Sequence, residues 1–176
     1  MRRFEVIADL ANRHGWRRGV EVGVQKGATF FWLLDHCPLL TLTGVDIFEP
    51  RPDKSDGWTY IRDDLPGQYR RIVERLVQGG YGGRGNLIKA WSVDAARTFG
   101  DASLDFVFID ADHTAPGIRA DIAAWAPKVR AGGFITGHDY CPAFPDVVRA
   151  VDELLPGAAA HDDSVWSIAK AQTGWA

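Results

Sequence analysis

Apolar residues recur every third or fourth position over residues 3–14, where Phe4, Ile7, Ala8, Leu10 and Ala11 alternate with charged positions; this spacing predicts a short amphipathic helix. The pattern then tightens. RGVEVGV at 18–24 is a compact valine-rich run ending in glycine and predicts a strand, and KGATFFWLLDHC reads as a helix beginning near Gly27. Strand, turn and helix then repeat. LTLTGVDIF predicts a second strand, LPGQYRRIVERLVQGG an amphipathic helix, GNLIKAW a third strand and WSVDAARTF a short helix. SLDFVFIDAD predicts a fourth strand, PGIRADIAAWAPKVRAGG a helix closed by its paired glycines, and FITGHDY a fifth strand. Alternation at this spacing implies an α/β fold: a mostly parallel sheet with helices on both faces. Residues 144–155 suit a further helix, and the alternating run around Ser164 to Ala169 predicts a strand returning antiparallel at the sheet edge.

Composition narrows the picture. A chain of 176 residues that is 46% hydrophobic supports one core and is too short for two, so residues 1–176 are read as a single domain. The formal charge of −3 carries no long basic block, which argues against nucleic acid as a partner. Cys37 and Cys141 form no CxxC pair and no disulfide framework, so a cytoplasmic location is expected. The opening MRRFEVIADLANRHGW lacks a signal peptide's apolar core, and no run approaches the roughly 18 apolar residues of a membrane span. Residues 49–63, rich in Pro, Asp and Gly, are long for a simple connection and suit a loop over a substrate pocket, with Trp58 as a substrate-contact candidate. Trp32 and Trp125 fall in predicted helices and read as core; His14, His36 and His161 read as surface or structural. The exposed sheet edges expected of this fold leave a homo-oligomer open.

Ligands of open parallel sheets bind beyond the carboxyl ends of the strands, where the strand order reverses. At the first such end, Glu21 and Gly23 precede Gly27, and the glycines let the backbone turn tightly. The spacing is not the G-x-G-x-x-G of dinucleotide sites. A carboxylate at Glu21 would repel a pyrophosphate but suits a ligand bearing an ammonium and a sulfonium, the two cations of S-adenosylmethionine. Asp46, ending the second strand, can accept hydrogen bonds from both ribose hydroxyls. Trp91, Ser92 and Asp94, after the third, offer an aromatic face for adenine and polar groups for its amine.

Chemistry-bearing residues are densest in Phe108-Ile109-Asp110-Ala111-Asp112-His113-Thr114 and Gly137-His138-Asp139-Tyr140, each following a strand-like run. A parallel sheet brings two such strand ends together. Asp110, His138 and Asp139 are a plausible ligand set for Mg²⁺, Mn²⁺ or Fe²⁺ and, less specifically, Zn²⁺. Such an ion would orient an acceptor hydroxyl and lower its pKa. Asp112 suits a cap for the following helix, and Tyr140 suits either substrate contact or packing.

From about Gly19 to Tyr140 the chain resembles class I S-adenosylmethionine-dependent methyltransferases, and VEVGVQKGATF is similar to their first motif in its catechol O-methyltransferase-like form. The D-x-D-H-T strand end and the later G-H-D-Y are similar to a group of small bacterial methyltransferases. The resemblance implies the Rossmann-like methyltransferase sheet with an antiparallel hairpin ending. It implies Glu21, Gly23 and Gly27 at the methionine end, Asp46 on the ribose, Trp91 and Ser92 beside adenine, and Asp110, His138 and Asp139 on the metal. The family's catalytic lysine corresponds to His113, whose neutral imidazole suits a general base acting with Asp110. The chain departs from the family in having His-Asp where Asp-Asn or Asp-Asp is usual. The expected activity is metal-assisted O-methylation of a small molecule. The alternatives are metal-free N-methylation and a non-catalytic metabolite-binding protein; a nicotinamide oxidoreductase is disfavoured by the incomplete glycine motif. The N-terminal helix, residues 49–63 and the region after Tyr140 are left to shape the acceptor pocket.

Overall fold

The structure is a computed structural model that describes residues 1–49 and 64–175. Its elements in chain order are α1 (Arg3–His14), β1 (Arg18–Val22), α2 (Ala28–His36), β2 (Thr41–Asp46), α3 (Leu65–Gln78), β3 (Gly85–Lys89), α4 (Ser92–Ala96), β4 (Leu104–Ile109), α5 (Ala115–Trp125), β5 (Val129–Gly137), α6 (Pro145–Leu154), β6 (Ala159–Ala160) and β7 (Trp166–Ala169). The predicted alternation is therefore present. Most of the expected loop at 49–63, with Trp58, lies outside the described residues; Glu49, within them, pairs with Lys89 at 3.0 Å.

The seven strands form one sheet in the order β3-β2-β1-β4-β5-β7-β6. The five from β3 to β5 pair in parallel, whereas β7 runs antiparallel to β5 and to β6. The chain winds outward from β1 to β3 on one side, then returns to place β4 on β1's other flank. The order thus reverses between β1 and β4, where a ligand site is expected.

Side-chain alternation along β4 shows why helices cover both faces. Phe106 and Phe108 join the cluster built with α1, α2 and Ile72 of α3, while Val107 and Ile109 join that built with α4, α5 and α6. Trp16 stacks on Phe106 at 4.5 Å between ring centroids, and Trp125 is fully buried in the second cluster. Gly19 sits beneath the Phe106 ring, where a Cβ would overlap it. Among the described residues, no helix is long and apolar enough to cross a membrane.

Two local expectations need correction. The helix over 116–133 stops at Trp125 and passes through a 3₁₀ turn at Ala126–Lys128, because Pro127 cannot supply the next helical N–H. The paired glycines thus lie inside β5, where the register against β4 shifts between Leu104 and Phe106. Gly132 takes φ 80° there, a left-handed conformation that glycine tolerates. The antiparallel strand is β7, as expected, but the outermost position on that side belongs to the two-residue β6.

Replacing Phe106 with Ala removes a fully buried ring from between Trp16 and Gly19. The variant is expected to lose about 3–5 kcal/mol of unfolding free energy in urea titration; a loss under about 1 kcal/mol would contradict this account of the core.

Candidate functional site

A row of backbone hydrogen bonds aligns the carboxyl ends of the parallel strands. Ala90 N–H donates to Asp46 O (3.1 Å), Gly23 to Val45 (2.9 Å), Asp110 to Val22 (2.8 Å) and His138 to Ile109 (3.1 Å). Each bond carries the ladder just past a strand end, so the loops leave from one line. Above that line opens a pocket of about 570 Å³. Glu21, Gly23, Asp46, Trp91, Ser92, Asp110, His113, His138 and Asp139 all line it, joining nine of the ten residues predicted for the site.

Gly27 is the tenth, and its part is local. It takes φ 77° as the N-cap of α2, and its N–H closes the turn on Val24 O at 2.8 Å. Gly23 permits close approach: at φ 93°, a Cβ on it would overlap the Asp110 carbonyl on the neighbouring strand end. Glu21 is buried with Oε2 free of any hydrogen-bond partner among the described residues, and burial together with nearby Asp110 raises its pKa well above the usual range. A cationic ligand would offset that cost. Asp46 accepts from Gln25 N–H and Phe48 N–H, each at 2.8 Å, which fixes its carboxylate at the pocket wall. Trp91 is 53% exposed and presents its indole there. Ser92 Oγ is engaged by Trp125 Nε1 at 2.9 Å. Asp94 turns instead to Arg97 (2.7 Å) and is absent from the pocket lining.

At the β4 and β5 ends two acids and two imidazoles converge. His113 Nε2 lies 2.7 Å from Asp139 Oδ2 and 3.8 Å from Asp110 Oδ1; His138 Nδ1 lies 3.1 Å from Asp139 Oδ1 and 3.5 Å from Asp110 Oδ1. Asp139 reaches both imidazoles from a left-handed backbone (φ 60°), a strained conformation of the kind found at functional sites. Trp166 of β7 holds this end from below, its Nε1–H donating to His138 O at 3.2 Å. The group whose donor atoms all lie within 4.8 Å of one another is Asp110, His113 and Asp139. The expected trio of Asp110, His138 and Asp139 is thus widened: all four residues cluster, and His113 makes the shortest contact, to Asp139. The four fit a divalent cation, since His113 Nε2 and His138 Nδ1 face the two acids while His113 Nδ1 and His138 Nε2 are buried without hydrogen-bond partners among the described residues.

The acids also reset the imidazoles. Although burial works against the charge, contact with Asp110 and Asp139 raises His113 to about 9 and His138 to about 10, while Asp110 and Asp139 are held low. This corrects the expectation of a neutral His113 base near its ordinary pKa: without a cation between the acids, both imidazoles keep their protons at neutral pH.

Two further expectations resolve. Asp112 does not cap α5; Thr114 does, its Oγ1 accepting from Gly117 N–H at 3.3 Å, while Asp112 Oδ1 accepts from Thr114 N–H. Tyr140 packs, donating its hydroxyl to Asp152 at 2.6 Å. Reading by strand ends missed Arg3, Thr29 and Phe144, which also line the pocket. Arg3 and Thr29 lie in the first turns of α1 and α2, where an isolated polar residue carries no periodic signal, and Phe144, the N-cap of α6, packs on His113 at 4.8 Å between centroids.

Residues 20–140 match the family model described as a methyltransferase domain. A search of curated proteins finds no match. Among solved structures, the chain is similar to a Staphylococcus aureus protein named as a candidate caffeoyl-CoA O-methyltransferase, with 12% identity, TM-score 0.67, and coverage of 93% of this chain and 80% of that one. A candidate O-methyltransferase from Klebsiella pneumoniae gives 14% identity, TM-score 0.65, and 94% and 79% coverage. CalS11, a TDP-rhamnose 3'-O-methyltransferase of calicheamicin biosynthesis, gives 16% identity, TM-score 0.60, and 93% and 77% coverage. At these identities the likeness is one of fold.

Because their folded pKa values lie above the unfolded value near 6.5, His113 and His138 contribute stability that is fully present below pH 6.5 and lost as pH rises through about 9 and 10. NMR titration of the metal-free protein is expected to show both rings protonated at pH 7.5; a midpoint near 6.5 for either would contradict the electrostatics described.

Proposed function

The chain belongs to the methyltransferase-domain family of S-adenosylmethionine-dependent enzymes, and from that premise we propose that it methylates an oxygen of a small-molecule acceptor with the help of a divalent cation. The observation that carries this reading is that one pocket holds two separate acid sets. Glu21 and Asp46 line its β1 and β2 side, where acids suit an ammonium and a ribose diol, while Asp110 and Asp139 line its β4 and β5 side between two imidazoles. That division suits a cofactor on one side and an acceptor on the other.

The residues take distinct parts. Trp91 offers its face to adenine, Asp46 accepts from the ribose hydroxyls and Glu21 takes the ammonium. When bound, the cofactor supplies an electrophilic methyl and the cation supplies Lewis acidity toward the acceptor hydroxyl. Asp110 and Asp139 would hold the cation with His113, whose donor atom lies within 4.8 Å of both of theirs. As a ligand His113 would serve in its neutral form, since a metal ligand must be neutral imidazole. His138 is the imidazole left over. With a cation between the acids, His138 would be held less firmly in its protonated form, and its Nε2 would be the acceptor for the proton of the substrate hydroxyl. Phe144 and the His113 ring wall off this end from water.

The test separates the two imidazoles. His113→Gln is expected to abolish the calorimetric signal of Mn²⁺ binding, as is Asp110→Asn. His138→Gln is expected to keep that signal and to lower kcat about 10²–10⁴-fold across a panel of phenol, sugar and nucleotide-sugar hydroxyls. Methyl transfer that survives chelation and Asp110→Asn would overturn the metal-assisted reading and favour transfer to an amine.

A further inference from the structure

Six non-glycine residues among those described take a left-handed backbone, and three of them, Asp139, Asp163 and Ser164, meet at one joint. Asp139 (φ 60°) follows β5, while Asp163 (φ 54°) and Ser164 (φ 57°) lie in the turn between β6 and β7. Three hydrogen bonds make the joint. Trp166 Nε1–H donates to His138 O at 3.2 Å, Tyr140 N–H to Ser164 O at 2.9 Å, and Arg3 N–H to Asp163 Oδ2 at 2.6 Å. The first two grip the peptides on either side of Asp139. The third fixes the start of α1, whose Arg3 Nε stands 3.5 Å from Asp110 Oδ2 and donates to Thr29 Oγ1 at 3.3 Å. Closing the sheet does not require the turn's own contacts. Strands β5 and β7 pair from Phe134 with Ala169 to Gly137 with Trp166, and the bonds to Tyr140 and Arg3 lie beyond that last pair.

We propose that the β6–β7 turn is the positioning element of the acid cluster: Ser164 and Trp166 set Asp139 through its own backbone, and Asp163 sets Asp110 through Arg3. The inference rests on the metal-assisted reading above and extends it to three residues that line no part of the pocket. A left-handed backbone is costly for any residue with a side chain and persists where the surrounding structure over-determines it. At Asp139 the surroundings do so, because both flanking peptides are tied to one hairpin. Its carboxylate is thereby held 2.7 Å from His113 Nε2 and 3.1 Å from His138 Nδ1. At the start of α1 the Asp163 carboxylate satisfies a backbone donor that the helix itself leaves open, and it sits where the helix dipole favours negative charge. Arg3 then carries that placement to Asp110. One turn thus reaches both acids, and groups that hold a ligand from behind govern metal affinity without touching the ion.

The experiment reads Mn²⁺ affinity by calorimetry, with thermal melts reporting the fold of every variant. Trp166→Phe keeps an aromatic ring in the core and removes the N–H donor. Asp163→Gly keeps the left-handed backbone and removes the carboxylate, whereas Asp163→Asn keeps both that backbone and an acceptor oxygen. Trp166→Phe and Asp163→Gly are each expected to weaken Mn²⁺ binding about 10-fold, and Asp163→Asn to stay within about twofold of the natural chain. Val151→Ala, buried in the same core cluster as Trp166 and outside the pocket lining, lowers the melting temperature through packing alone. Its Mn²⁺ affinity is expected to stay unchanged. Natural affinity in Trp166→Phe and Asp163→Gly would overturn the proposal and leave the metal-assisted reading standing. So would an equal loss in Val151→Ala, which would mean that affinity follows stability, or a loss in Asp163→Gly that Asp163→Asn shares. A natural chain that binds no Mn²⁺ would overturn the metal-assisted reading itself and the proposal with it.

Discussion

Every feature of the pocket depends on the hydrogen-bond ladder continuing one step past the ends of the parallel strands. Ala90, Gly23, Asp110 and His138 each donate a backbone N–H to the neighbouring strand, so that residues far apart in sequence leave the sheet from one line. The ladder tolerates little substitution at its centre. Gly23 lies so close to the Asp110 carbonyl that any side chain would force β1 and β4 apart. Because the strand order reverses between those two strands, that closest approach is also where the pocket opens.

Charge then divides the pocket. Burial makes an isolated carboxylate costly, so each acid must find a partner or a cationic ligand. Asp110 and Asp139 find partners in His113, His138 and Arg3, whereas Glu21 keeps one oxygen unsatisfied. The two imidazoles raised by their acids, and the one acid raised by its burial, keep protons in the pocket that a bound cation would displace. Proton release on loading is the thermodynamic signature of such a design.

Much of this was legible from residues alone. The period of the apolar pattern placed the sheet strands and major helices, because strands buried on both faces and amphipathic helices leave different spacings. The strand-end residues Glu21, Asp46, Trp91, Asp110, His113, His138 and Asp139 were legible because a parallel sheet gathers its carboxyl ends. What escaped depends on tertiary approach. The paired glycines Gly132 and Gly133 read as a helix stop, yet Pro127 ends α5 first and the glycines serve the register shift inside β5. Arg3 looked like one more charge on an amphipathic helix until the packing of α1 on α2 brought it beside Thr29. The imidazole protonation was likewise invisible, since it depends on distances to Asp139 that no spacing rule provides.

The central claim is that the acids at the β1 and β2 ends select a cationic nucleoside ligand without a phosphate. Calorimetric titration of the chain with S-adenosylhomocysteine and, separately, with NAD⁺ tests this most directly. The account predicts saturable binding of the first at one molecule per chain, weakened by Asp46→Ala, and no heat from the second. Binding of NAD⁺ with none of S-adenosylhomocysteine would contradict it.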